Sequence, residues 1–112
     1  MIVKPMERII RVEVDSGICG FSCVVEAKKT GRHQVSIKIS SSDCEHIKRL
    51  SGKVNEMDLK DLFKPMTKNP VFVLAQQSGC HPSCPVPTAV LKTAEVAMEM
   101  ALPKNVTIEF KP

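Results

Sequence analysis

The sequence predicts an α+β fold: a three-stranded antiparallel meander, helices packed on one face, and a C-terminal strand completing a four-stranded mixed sheet. Three observations point there. Side chains alternate apolar and polar through much of the first forty residues, the period lengthens to a helical one near Ser42, and alternation returns at Asn105–Phe110. The chain of 112 residues is long enough for one core and too short for two, so residues 1–112 are read as a single domain.

The first strand is "ERIIRVEVD", Glu7 to Asp15, in which Ile10, Val12 and Val14 oppose Ile9, Arg11 and Glu13. Gly17 and Gly20 in "SGICG" turn the chain. "FSCVVEAKK" is then a second strand with Phe21, Cys23, Val25 and Ala27 on one face. After the turn signal "TGR", His33 to Ser40 form a third strand that puts Val35, Ile37 and Ile39 together. Ser42 followed by Glu45 is a capping-box signature for a helix with Cys44 in its first turn. Residues 56–63 read as a short helix. Residues 70–78 suit either a strand, by their apolar run, or a helix capped by Asn69 and Pro70; helix is the reading adopted. From Val86 to Leu102 the apolar Val90, Ala94, Ala97 and Ala101 oppose Lys92, Glu95 and Glu99, as in an amphipathic helix. Pro103 ends it, and Val106, Ile108 and Phe110 mark the final strand.

Composition narrows the function. With 43% hydrophobic residues the chain should fold, yet no apolar run approaches the ~20 residues that span a bilayer. The first fifteen residues lack the apolar core of a signal peptide, so a cytoplasmic address is expected. Net charge is +4, and Lys28, Lys29 and Arg32 cluster around the second hairpin. Without Trp or Tyr there is little to stack on bases, and nucleic acid is disfavoured as a partner. The uncovered edge of so small a sheet could pair with another copy.

Five cysteines, Cys19, Cys23, Cys44, Cys80 and Cys84, remain to be explained. A reducing compartment shifts their reading from disulfides toward metal or redox roles. Cys23 alternates with Val25 and Ala27 and belongs to the core. In "GCHPSC", Cys80 and Cys84 flank His81. If Pro85 takes the first helical position, Cys84 becomes the N-cap and its sulfur meets unpaired N–H groups that favour thiolate. Cys44 at another helix start and Cys19 between two glycines occupy comparable places. His81 could serve as an alternate ligand, a donor to sulfur or a proton carrier, while "HPS" also reads as a plain turn. His33 and His46 read as surface groups. With the first strand running upward, the Cys19 turn and the Cys44 helix start share the upper end of the sheet. The Cys80–Cys84 loop joins them if residues 55–78 make one net upward pass, whereas two antiparallel passes would leave it at the bottom; a joint site therefore predicts a mixed sheet with the last strand parallel to the first and third.

"SGICGF", "SDCEHI", "DLFKP" and "GCHPSCPVP", in that order and across nearly the whole chain, resemble a small prokaryotic family with no established activity. Cys19, Cys44, Cys80 and Cys84 fall on its motifs and Cys23 does not. The resemblance implies no cofactor or partner. The expected function is therefore argued from the residues alone: Cys19, Cys44, Cys80 and Cys84 as thiolate ligands to zinc or an iron–sulfur cluster. Two alternatives stand beside it. One is a thiol redox or nucleophilic enzyme using Cys84, with Cys80 resolving and His81 moving the proton. The other is a noncatalytic interaction module whose cysteines merely pack.

Overall fold

A computed structural model describes Arg8 to Pro112; Glu7, where the sequence reading starts the first strand, lies outside the described residues. The meander is present as β1 (Ile9–Asp15), β2 (Ser22–Gly31) and β3 (Gln34–Ser40). Antiparallel pairing sets Ile10 opposite Ala27 and Val14 opposite Cys23, then Val25 opposite Ile39 and Ala27 opposite Ile37. Because side chains alternate across a strand, this register gathers all seven, with Val35, into one hydrophobic cluster. Phe21 does not join them. It precedes β2 in the hairpin loop and is exposed.

Helix α1 (Glu45–Ser51) begins at the period change, but Cys44 is its N-cap. Ser42 accepts a hydrogen bond from the Cys44 N–H at 3.2 Å, and the expected Ser42–Glu45 capping box does not form. Ile47 and Leu50 of α1 enter the core.

The next segment departs from expectation. Glu56–Asp58 form β4, antiparallel to the lower part of β3 with Met57 opposite Val35. Only Leu59–Leu62 are helical, as α2. A three-residue strand is too short to display a period, so Met57, buried beside Val35, was assigned from the helical spacing of its neighbours.

Residues Pro70–Gln77 are a helix, α3, as read from the cap. The Asn69 side-chain oxygen Oδ1 accepts from the Val71 N–H at 3.0 Å. Its amide nitrogen donates to the carbonyl of Asp61 at 3.0 Å. Asn69 is 2% exposed and thereby ties the end of α2 to the start of α3.

Helix α4 (Val86–Ala97) packs on β1, β2 and β3, burying Val86, Val90, Thr93, Ala94 and Ala97. It stops five residues short of Leu102. The Met98 N–H still bonds the Ala94 carbonyl at 2.9 Å, but Glu99 turns into the left-handed region at φ 64°. That position ordinarily calls for glycine, and a glutamate there gives the sequence no stop signal.

The C-terminal strand is absent from the described sheet. Residues 101–112 are exposed and have no regular structure, so the expected mixed sheet is corrected to an all-antiparallel one of order β1-β2-β3-β4. Alternation at Asn105–Phe110 describes a two-faced extended segment but does not say which strand lies beside it. Among the described residues, no helix is long and apolar enough to cross a membrane.

Candidate functional site

Strand direction decides which cysteines can meet. β1 ascends to Asp15, and the loop that follows holds Cys19 in a single helical turn, Gly17–Cys19, flanked by Gly17 at φ 80° and Gly20 at φ 77°. The Ser16 N–H bonds the Phe21 carbonyl at 3.1 Å and closes the loop. β3 ascends to Ser40, and Cys44 starts α1 at the same upper end. β4 pairs with the lower part of β3, and the Leu59 N–H bonds the His33 carbonyl at 2.7 Å, so α2 lies at the bottom. α3 must then climb. Its far end arrives beside α1, where the Ser78 carbonyl accepts from Arg49 Nε at 3.1 Å and Cys80 follows against the carbonyl of His46 in the first turn.

The Cys80–Cys84 loop therefore reaches the upper end by the net upward pass that residues 55–78 were required to make. The missing C-terminal strand has no part in that path. Within the loop, the Cys84 N–H bonds the His81 carbonyl at 3.0 Å, so "HPS" is a turn in fact. Cys80 Sγ lies 4.0 Å from the carbonyl oxygen of His46, two residues beyond Cys44 in the first turn of α1. The His46 and His81 rings are 5.6 Å apart between centroids, tilted by 50°.

His46 is more than a surface group. Arg49 Nη2 lies 2.7 Å from His46 Nδ1 while its Nε donates to the Ser78 carbonyl, so one guanidinium spans both. A guanidinium can only donate, which makes Nδ1 the acceptor and leaves the ring proton on Nε2. The 3.3 Å approach of Nδ1 to the Ser78 oxygen is then a contact of two acceptors bridged by Arg49. Gly79, at φ 83°, is the residue that lets the chain pass so close: a Cβ there would sit 2.9 Å from His46 Nδ1. This latch of His46, Arg49, Ser78 and Gly79 was not identified from the sequence. The i, i+3 spacing of His46 and Arg49 does put them on one side of a helix, but their partner is thirty residues away in the chain.

Cys23 is buried in the core, as expected, and its thiol is pushed up to about 11 by burial, then by Cys84 and Cys44. The expectation of a stabilised thiolate at Cys84 is corrected. Pro85, not Cys84, is the N-cap of α4. Burial pushes the Cys84 thiol up, outweighing the lowering by the nearby Val86 N–H, and Cys44 and Cys19 add to the rise. Cys80 is likewise raised by burial, then by Cys84 and Cys44, against a lowering by Arg49. Removing water from a thiolate outweighs one amide and one exposed cation. Cys19 is exposed; Cys44, Cys80 and Cys84 are partly buried. Among the described residues no group of three His, Cys, Asp or Glu side chains is arranged to hold a metal ion.

The chain matches the model of a family described as "Family of unknown function (DUF6951)" over residues 10–110, and it belongs to that family. No curated protein and no solved structure matches it.

Proposed function

We propose that the chain binds zinc or an iron–sulfur cluster through Cys19, Cys44, Cys80 and Cys84. The observation that supports this reading is topological: three segments far apart in sequence bring these residues to the upper end of the sheet. Cys23, the remaining cysteine, points into the core instead. Thiols that raise one another's pKa are poorly placed to ionise alone, and a cation among them reverses that repulsion. Each ligand gives up its proton on binding, so affinity rises with pH until the thiols are ionised. Exposed Cys19, on a loop of two left-handed glycines, is the ligand with most freedom to swing inward.

The test is metal content per chain after expression and purification without oxygen, with iron and sulfide or with zinc supplied. Stoichiometric metal is expected, lost on Cys→Ser at any of the four positions and kept in Cys23→Val. A metal-free chain whose stability does not respond to zinc or cluster reconstitution would refute the reading. The thiol-enzyme alternative retains one supporting contact, the Val86 N–H at Cys84. It requires Cys84 to be alkylated at neutral pH far faster than a free cysteine, whereas burial argues for slower labelling.

A further inference from the structure

The C-terminal segment presents a contradiction between pattern and environment. Val106, Ile108 and Phe110 alternate with polar residues as the inward face of a strand would, yet they are 59%, 83% and 97% exposed. β1 is a terminal strand of the sheet, and no described residue pairs with its outer edge. An exposed seven-residue edge is a template for another strand.

We propose that Asn105–Phe110 is an exchange arm, which adds as an antiparallel strand to the outer edge of β1 in a second copy of this chain, reciprocally, to make a two-fold dimer. Side-chain complementarity selects the direction. One antiparallel register sets Val106 against Val14, Ile108 against Val12 and Phe110 against Ile10, all on the face that α4 covers. The same register sets Glu109 against Arg11 on the opposite face. Val12 is only partly buried and would be covered by this addition. The parallel register that joins the same apolar residues in sequence order opposes Glu109 to Glu13 instead. Arg11 already bonds Glu26 at 3.1 Å on that face, so a second carboxylate from the arm would share one guanidinium.

Reach selects the second copy. The Met98, Glu99 and Met100 N–H groups all bond back to α4, which leaves Ala101–Lys104 as the linker, itself turned by a 2.9 Å bond from the Lys104 N–H to the Leu102 carbonyl. The five steps from Met100 to Asn105 span at most about 18 Å even when fully extended. α4 leaves the upper end and descends past α2, so the arm starts near the lower end, where β1 also starts. To lie antiparallel on its own β1, Asn105 would have to reach Asp15, about 20 Å higher on a seven-residue strand. The same chain cannot do so. A partner related by a two-fold axis presents β1 in the opposite direction and receives the arm directly.

The experiment is sedimentation equilibrium of the full chain across the micromolar range. Dimer is expected. Ile108→Asp changes only an exposed arm in the monomer, and should raise the dimer dissociation constant about a hundredfold because each dimer loses two buried isoleucines. Arg11→Glu and Glu109→Lys should each weaken it about tenfold, and mixing the two variants should restore a heterodimer in which both pairs are opposite in charge. If Arg11→Glu fails to fold beside Glu26, Arg11→Gln replaces it with a severalfold effect. A wild-type chain that stays monomeric overturns the proposal. So does a dimer indifferent to Ile108→Asp, or one in which the mixed charge variants do not prefer each other.

Discussion

The Gly79 latch makes a quantitative prediction, because Gly17 provides an internal control at nearly the same backbone angle. Both glycines are left-handed, at φ 83° and φ 80°. Alanine at either position meets the left-handed penalty of about 1–2 kcal/mol, offset by about 0.4–1 kcal/mol from a less flexible unfolded chain. At Gly17 the new methyl has nothing within 4 Å, so Gly17→Ala should cost about 1 kcal/mol and no more. At Gly79 the methyl would lie 2.9 Å from His46 Nδ1, 3.3 Å from Cε1 and 3.5 Å from Arg49 Nη2. The imidazole must move, and Arg49 then loses its 2.7 Å contact with Nδ1 and its hold on the Ser78 carbonyl. A partly exposed charged donor adds about 1–2 kcal/mol, so Gly79→Ala should cost about 2–3 kcal/mol. The chain has no Trp or Tyr, so urea unfolding is followed by circular dichroism at the helix band. Removing the obstacle closes the cycle: in a His46→Ala background, Gly79→Ala should cost no more than Gly17→Ala. Equal costs for the two glycines in the wild-type background would refute the latch.

Three further outcomes follow from single sites. Cys23 holds its proton to about 11 in the folded chain against 9.0 ordinarily, so its contribution is complete below pH 9 and is lost as pH rises toward 11. In metal-free protein, Cys23→Val should flatten the alkaline fall in urea stability by up to about 2 kcal/mol, and an unchanged slope would mean the thiol is not desolvated. Asn69→Ala removes the α3 cap and leaves the Asp61 carbonyl without its donor, for a loss of about 2 kcal/mol in the same assay. Glu99→Gly relieves the left-handed residue after α4 and should raise stability by about 0.5–1 kcal/mol; a loss would show that the Glu99 side chain matters more than its backbone.

Acid behaviour at Asp61 has the opposite sign from Cys23. Its hydrogen bond with Lys64, assisted by the Asp58 N–H and by the charges of Lys64 and Lys60, lowers its pKa despite an opposing contribution from desolvation. A depressed carboxyl contributes stability above its unfolded pKa and loses it as pH falls through the folded one. Asp61→Asn should therefore reduce the acid sensitivity of the chain, read as a smaller drop in thermal midpoint between neutral and acidic buffer.

The meander was legible because three consecutive strands each display alternation over enough residues to fix a face, and their turns contain glycine. α3 was legible from its cap: Asn69 and Pro70 determined its start where the apolar run alone could not. β4 was not, since its partner β3 supplies the pairing and three residues carry no period of their own. The end of α4 was hidden by a glutamate in a glycine's conformation. At the site, the sequence placed Cys23 correctly in the core, but it left the Cys80 loop open between the two ends of the sheet, because the number of passes made by residues 55–78 depends on the short β4 that carries no period. It misjudged thiol acidity, because burial depends on what covers a residue and not on its position at a helix start. The Arg49 bridge was invisible for the same reason as β4: its partner is remote in the chain.

The cysteines themselves separate by environment in a way that bears on their role. Packing explains Cys23, which is 3% exposed and flanked across β1 by Val14. It does not explain Cys19, which is exposed and whose sulfur makes only a 3.9 Å contact with the Ser16 carbonyl. A small hydrophobe gains nothing there, and serine would serve the turn as well. Nor does acid–base activation explain Cys80 and Cys84, since burial holds both thiols toward the protonated form. What these residues share with Cys44 is the upper end of the sheet and, for Cys44, Cys80 and Cys84, partial burial. Under the proposed reading these thiols, spread from the core margin to the surface, would have to close around a cation, with the exposed loop cysteine moving furthest. Cys19→Ser separates this from packing most directly: it should leave the metal-free fold's stability within about 0.5 kcal/mol while weakening zinc binding at least about tenfold. Loss of neither would leave the exposed thiol without a role in binding and remove the fourth ligand.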